Sequence, residues 1–478
     1  MVSTGDRRLA ATIGSIHFAQ HVFRILPPVL PLLARAFPYP LWQLGGLVSV
    51  YFAGSGLGQT PAGVLADRYD RRLVVPPGVA LMGLGYVVVA LGPSLVSDAG
   101  VLLLAGRRFT AGYLLMATGT FLAGLGASTI HPAGYPLVMA NAATETGGRA
   151  LGVWNSAAKF GDAAAPLAVA LLVLVTDWRG VFLVFGALGV GYAGWLHRLM
   201  SGDRIETRPG GRRGDDAPGA AAAATDPDAP GGRDERTPPA DPSFPDASTD
   251  VDADAAPDAT DRRRYVYPMA ALLVFFVARA FSEKGLKAFL PTFITGTYGY
   301  SFTVAGMYVP PESFADLYFT AIFVVAALTT LVTGRLVDRH DPRAVLIGFF
   351  AVAALALAVL ATGTLSPLAL LFVLAVLGVS NWGWTPARDA IIGGFAPADR
   401  EGRTFGYLHT VSHLFGAVAP VAIGAGAERL GFRRSFLVLV VVMLVAVTAI
   451  ASLYSRRVYR RVPRERGEAR SVDADDGE

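Results

Sequence analysis

Twice in this chain a short charged segment stands between two long apolar runs. The first copy reads Gly63-Val64-Leu65-Ala66-Asp67-Arg68-Tyr69-Asp70-Arg71-Arg72, and the second Gly334-Arg335-Leu336-Val337-Asp338-Arg339-His340-Asp341-Pro342-Arg343. Gly, Leu, Asp, Arg, Asp and Arg fall in register at an offset of 271, from Gly63 to Gly334. Charged hairpins recurring once per half between hydrophobic segments predict a duplicated membrane protein. Composition points the same way: 53% of residues are hydrophobic and 16% charged, against about 25% charged in soluble domains.

A spanning helix needs roughly 20 apolar residues, and twelve such stretches are expected. Those of the first half are Leu9–Leu33, Gln43–Leu65, Leu73–Leu95, Gly112–Met139, Ala150–Val175 and Val181–Leu199. Those of the second are Val266–Ile294, Phe314–Val337, Ala344–Ala361, Pro367–Ile392, Phe405–Ala427 and Phe436–Tyr454. The apolar run from Leu9 is long enough to remain in the bilayer, so no cleaved signal peptide is expected. Between the halves, residues 201–264 are rich in Ala, Pro, Gly and Asp. Such a segment buries too little apolar surface to offset its conformational entropy and is expected to be a disordered acidic linker. The resulting plan is a six-helix bundle over 1–200, a linker over 201–264, a second bundle over 265–456 and a tail over 457–478.

A second set of matches tests the duplication. Gly148-Arg149, Gly152 and Pro166 align with Gly402-Arg403, Gly406 and Pro420 at an offset of 254, as Pro132 does with Pro386. The two offsets differ by 17, so the first half must hold extra residues between its hairpin and its fourth span. The segment Asp98–Ala111 lies there. Arginines set the orientation: Arg7, Arg8, both hairpins, the linker and the tail (Arg456, Arg457, Arg460, Arg461) share one side if there are twelve spans. By the positive-inside rule that side, with both termini, is cytoplasmic, and a multi-pass plasma-membrane protein is expected. Arg107, Arg108, Arg433 and Arg434 are exceptions.

Paired Gly-x-Leu-x-Asp-Arg hairpins after the second and eighth spans, with a long linker between six-helix halves, resemble the major facilitator superfamily. The resemblance covers the whole chain. It implies an all-α polytopic fold of two six-helix pseudo-repeats around a central cavity, and a gating latch at Gly63, Asp67, Arg68, Arg72, Gly334, Asp338, Arg339 and Arg343. The plainer alternative is that these charges only keep the hairpins in water. Tyr69 stands where the family usually has glycine. His17-Phe18, Leu26-Pro27, Pro31 and the run from Gly126 to Pro132 are also similar to the fosmidomycin-resistance efflux branch. That branch tends to carry an acid near the position of His21, so its proton site does not transfer directly. Gly161-Asp162-Ala163-Ala164-Ala165-Pro166 resembles the Gly/Pro-rich antiporter motif of the fifth span, although ordinary small-residue packing explains it equally well.

Ionisable groups at bilayer depth are costly and persist where they meet a cavity or a partner. His17, His21 and Arg24 are spaced i, i+4, i+7 in the first span and share a face, and Arg279, Glu283 and Lys287 repeat that spacing in the seventh, with Lys284 alongside. Asn155, Lys159 and Asp162 occupy one side of the fifth, where Lys159 and Asp162 could pair. His131 lies in the fourth, Asn381 with Trp382 and Trp384 in the tenth, and His409 and His413 in the eleventh. The spans that line the cavity in the resembled family are those that carry these groups. His17, His21, Arg24, His131, Asn155, Lys159, Arg279, Lys287, Asn381, Trp384, His409 and His413 are therefore expected to form the substrate cavity. Glu283, ahead of Asp162, is expected to handle protons.

Cations outnumber acids in this set, which favours an anionic substrate. The expected function is secondary active transport of a small organic solute by alternating access, as a proton-coupled exporter or antiporter. An importer of an organic anion and a transporter-like sensor remain alternatives. An enzyme is not expected: the chain has no cysteine, no acid and histidine cluster with metal-ligand spacing, and no phosphate-binding glycine loop. No cofactor and no metal are expected. The anticipated partners are a small molecule, protons or another coupling ion, and the bilayer; no nucleic acid is expected, and the chain is read as a monomer.

Overall fold

The computed structural model describes residues 4–96, 101–104, 106–142, 147–202, 205–210, 259–384, 387, 391 and 401–454. Most of the expected linker (211–258) and tail (455–478) lies outside the described residues. Seven helical stretches among the described residues are long and apolar enough to cross a membrane, up to a mean hydropathy of 2.8 for Pro342–Thr362.

The expected first span is two helices, α1 (Thr4–Val22) and α2 (Leu26–Ala36). Pro27 and Pro28 lack the amide hydrogens that would continue α1's ladder, so the break falls just before them and Arg24 sits in it. α3 (Leu41–Arg68) leads to the first hairpin. There Asp70 Oδ1 accepts from Arg72 N at 2.9 Å and caps a short 3-10 turn, after which α4 (Val75–Leu95) begins with Pro76 in its first turn. The extra piece of the first half is a β-hairpin, β1 (Val101–Leu104) paired antiparallel with β2 (Arg107–Thr110). α5 (Ala111–Ala127), capped by Thr110, and α6 (Ile130–Asn141) make the fourth apolar stretch, followed by α7 (Gly147–Leu172) and α8 (Trp178–Met200).

α9 (Ala259–Thr297) starts six residues before the expected boundary at 265. A second β-hairpin, β3 (Phe302–Val304) with β4 (Met307–Val309), joins it to α10 (Pro311–Arg339). The two hairpins add strands to a fold read from the sequence as wholly helical. Asp341 caps α11 (Pro342–Thr362), its Oδ1 accepting from Arg343 N at 2.8 Å, which repeats the Asp70 cap of the first half. α12 (Pro367–Trp382), α13 (Glu401–Leu430) and α14 (Phe432–Ser452) complete the described helices.

Packing separates the two ends of the molecule. At the end away from the charged hairpins, one continuous apolar cluster runs from Leu30, Leu47 and Phe182 of the first half to Phe289, Phe319 and Leu374 of the second. At the hairpin end the core divides in two, one around Ile16, Val75 and Trp154 and one around Phe275, Phe350 and Leu408. The halves are thus joined at the far end and separate at the hairpin end. Backbone contact makes the far seal: a Cβ on Gly45 would lie 2.2 Å from the Pro420 carbonyl oxygen, and one on Gly424 would lie 2.4 Å from that of Leu41. Only glycine lets α3 and α13 approach so closely.

The start of the linker is tied to the first half. Asn141 Nδ2 donates to Glu206 O and Glu206 N donates to Asn141 Oδ1, each at 2.8 Å, while Arg71 N donates to Thr207 O at 3.0 Å. Ile205 joins the core of that half.

Candidate substrate site

Below the far seal lies a cavity of about 1190 Å³, counting the solvent at its mouth, that reaches along α3 to Gln59 on the hairpin side. Its walls come from both halves. α1, the break after it, α3, α6 and α7 supply Gln20, His21, Arg24, Tyr51, Phe52, His131 and Asp162, while α9, α10 and α13 supply Arg279, Glu283, Lys284, Lys287, Phe319, Phe323 and His413.

Asp162 is the junction. Its Oδ1 lies 2.9 Å from His21 Nδ1 and 4.0 Å from Arg24 Nη1, and its Oδ2 lies 3.8 Å from Lys287 Nζ. The first two partners come from its own half and Lys287 from the other. Arg24 Nη1 also lies 3.3 Å from His21 Nδ1, so the imidazole sits between the guanidinium and the carboxylate. Lys287 Nζ stands 3.4 Å from Glu283 Oε1, and Glu283 also pairs with Arg279. Five side chains therefore alternate in sign across the cavity: Arg24, Asp162, Lys287, Glu283, Arg279. Each of these five charges meets an opposite one, which offsets its desolvation in a low-dielectric site.

Aromatic rings support the cations. Arg279 lies 4.7 Å from the Trp384 ring centre, Lys287 4.9 Å from Phe323 and 5.4 Å from Trp382, and Lys284 4.4 Å from Phe52. Trp382 Nε1 donates to Glu283 Oε1 at 3.1 Å, and Lys284 Nζ to His413 O at 3.1 Å. Four cations line the cavity against two carboxylates, so a net positive charge remains with the histidines neutral.

Eight of the fourteen residues expected for the cavity and for protons line it: His21, Arg24, His131, Asp162, Arg279, Glu283, Lys287 and His413. His17 is packed behind it, its ring stacked on Trp154 at 4.3 Å and its Nδ1 2.9 Å from Trp154 O. Trp384 and Asn381 are buried beneath Arg279, joined by a 2.7 Å bond from Trp384 Nε1 to Asn381 O. Asn155 is exposed and Lys159 half-buried, both away from the cavity walls. The side chains of His409, Gly334 and Asp338 lie outside the described residues.

At the hairpins, Gly63 is half-buried, and Asp67, Arg68 and Arg339 are exposed. Arg72 Nε pairs with Asp70 Oδ2 at 3.0 Å, and Arg343 Nη2 with Asp341 Oδ2 at 2.6 Å. Asp70 and Asp341 were legible as the last acid of each repeat. The aromatic lining was not: Tyr51, Phe52, Phe319 and Phe323 sit in apolar runs where a lipid-facing ring would look the same. Among the described residues no group of three or more His, Asp or Glu could hold a metal ion.

Comparison with known proteins fits this geometry. A probable L-galactonate transporter of Escherichia coli K12 is 29% identical over 165 residues, 34% of this chain and 32% of that protein. The multidrug resistance protein MdtL of Escherichia coli SMS-3-5 is 26% identical over 189 residues, 40% and 43% of the two chains. The matched part thus spans less than half of either relative. In fold, a bacterial homolog of the human lysosomal transporter Spinster, solved in an inward-facing and occupied conformation, superposes with a TM-score of 0.69 at 15% identity over 97% of this chain and all of that one. A D-xylose-proton symporter gives 0.63 at 12% identity over 93% and 96%. The sequence model of the Major Facilitator Superfamily matches residues 14–315 and 272–474. With those two matches covering almost the entire chain, and an apolar helical body enclosing a charged cavity, this integral membrane protein belongs to the Major Facilitator Superfamily.

Proposed function

We propose that the chain is a secondary active transporter that exports a small organic anion from the cytoplasm in exchange for protons, by alternating access of one central cavity. The reading includes twelve spans in two pseudo-repeated bundles, a plasma-membrane location with both termini cytoplasmic, and a monomeric unit. The observation that carries it is the charge chain through Asp162 and Lys287, which joins the two halves inside a cavity holding surplus cations. An anion entering there can replace Asp162 at Lys287 and Arg24, so that occupancy alters the contact between halves. Such differential contact is what couples binding to a conformational change. Glu283, held between Arg279 and Lys287, exchanges the proton when substrate or movement disturbs its partners. The paired hairpin charges Asp70–Arg72 and Asp341–Arg343 stabilise each hairpin, and the exposed Asp67, Arg68 and Arg339 remain available for a latch when the hairpin end closes.

Efflux is supported by the likeness to MdtL, and an acidic substrate by the likeness to a protein named for L-galactonate, a sugar acid. The latter likeness also favours the second reading, import of an organic anion through the same site. Flux into and out of proteoliposomes, over a panel of small carboxylates with and without an imposed pH gradient, tests both. Preference for carboxylates with gradient-dependent movement is expected; preference for hydrophobic cations overturns the substrate class. Glu283→Gln is expected to abolish gradient-driven transport while leaving binding measurable. Full transport in that variant removes Glu283 from the mechanism.

A further inference from the structure

The charge chain of the cavity does not include the most deeply enclosed acid of the described residues. Asp316, in the second turn of α10, has no solvent-exposed surface, and neither carboxyl oxygen has a hydrogen-bond partner. One turn nearer the far end, on the same face, Glu312 is also buried and pairs with Arg35 of α2, whose side chain reaches solvent. α2 belongs to the first half and α10 to the second, so this ion pair crosses the far seal. Ser313 Oγ crosses it too, donating to Ala170 O of α7 at 2.9 Å. Glu312, Asp316, Phe319 and Phe323 follow one another at i, i+4, i+7 and i+11. They form a stripe from the seal into the cavity, where Phe319 and Phe323 line the wall.

The charged groups around Asp316 are few. α2 offers Arg35, which is engaged by Glu312. α12 has no ionisable side chain, and the only charged residue of α11, Arg343, lies at the hairpin end. α7 and α9 contribute Asp162, Arg279, Glu283, Lys284 and Lys287 to the cavity and Lys159 away from its walls; Lys287 faces Phe323, two helical turns deeper than Asp316. A carboxylate enclosed without a donor, beside a second acid, is the costliest form this side chain could take, and a bound proton removes that charge. Parting the halves at the far end would break the Arg35–Glu312 pair and admit water to Asp316, where the ionised form is again hydrated.

We propose that Asp316 is a proton-binding site of the far seal, occupied while the seal is shut and emptied to the far side when it opens. The site lies outside the substrate cavity and is distinct from Glu283 and Asp162. It makes closure of the far end favour low pH, whatever solute the cavity takes. Because one proton is bound in the shut state and lost in the open one, the ratio of shut to open molecules is expected to change by up to about tenfold per pH unit across the titration.

The chain has no cysteine, so paired spin labels enter cleanly at Ala36→Cys and Glu428→Cys, exposed positions at the ends of α2 and α13. Distances between them, recorded on the full chain in nanodiscs without substrate from pH 5 to 9, report the seal. The unmodified background is expected to shift from the short to the long distance as pH rises. Asp316→Asn should stay shut throughout, and Asp316→Glu should restore a pH response. An unchanged pH response in Asp316→Asn overturns the proposal, as does a response abolished by Glu312→Gln but not by Asp316→Asn. If Asp316→Asn does not fold, the infrared carbonyl band of a neutral carboxylic acid decides in the unmodified chain: its presence in the shut state and loss on opening is expected, and its absence overturns the assignment. These readouts need no transported solute, so they can fail while the proposed anion transport stands, and the reverse.

Discussion

Asp162→Asn is the most discriminating change to the cavity, because the expected effect on binding runs opposite to intuition. Asp162 is the internal competitor of an anionic substrate: it lies 3.8 Å from Lys287 and 4.0 Å from Arg24, the two cations such a substrate would use. An anion seated on those cations would stand about 6 Å from the Asp162 carboxylate. At an effective dielectric of about 20, two like charges at that separation repel by roughly 3 kcal/mol. Salt and rearrangement are taken to remove about half. The remaining ~1.5 kcal/mol corresponds to about tenfold tighter binding of a small carboxylate by the variant. Turnover should fall at the same time, since a more tightly held anion leaves more slowly. Equilibrium binding of a radiolabelled carboxylate by scintillation proximity, paired with liposome counterflow, measures both. Affinity unchanged or weakened in Asp162→Asn would refute the placement of the anion at Lys287 and Arg24. The affinity gain should shrink with added salt, which separates an electrostatic effect from a change of shape.

Other predictions concern the frame around the site. Gly45→Ala would place a methyl carbon 2.2 Å from a backbone oxygen of α13, so the far seal should loosen, seen as an increased long-distance population between labels at 36 and 428. Asn141→Ala removes two 2.8 Å bonds to the Glu206 backbone, worth about 1–3 kcal/mol in all; a Thr207→Cys probe, buried in the intact chain, should then react faster with a maleimide. Asp341→Ala should lower thermal stability by about 0.5–2 kcal/mol through the lost helix cap. The Arg343 hydrogen bond, foremost, holds the Asp341 carboxyl below its ordinary range. Its contribution is therefore complete above the unfolded value of about 3.9 and is lost as pH falls through the lower folded value. The variant's melting temperature should decline less below pH 4 than that of the native chain.

How much of this was written in the sequence follows from what is local. Apolar runs and their proline and aspartate boundaries determined most helices, because hydropathy and capping act within a few residues. The repeat at offset 271 placed Asp70 and Asp341 in equivalent caps, and the 17-residue difference between offsets located the insertion that folds as β1 and β2. Helical spacing put Arg279, Glu283 and Lys287 on one face and aligned His21 with Arg24 and His17, since 3.6 residues per turn is an intrachain property. It could not tell which stripes would meet. That Asp162 reaches Lys287 across the cavity, that His17 turns behind it onto Trp154, and that Glu312 meets Arg35 depend on how whole helices rotate and pack. Those rotations are set by small-residue contacts such as Gly45 against Pro420, hundreds of residues apart in the chain. Periodicity chooses a side chain's face; only the packed tertiary structure chooses what that face confronts.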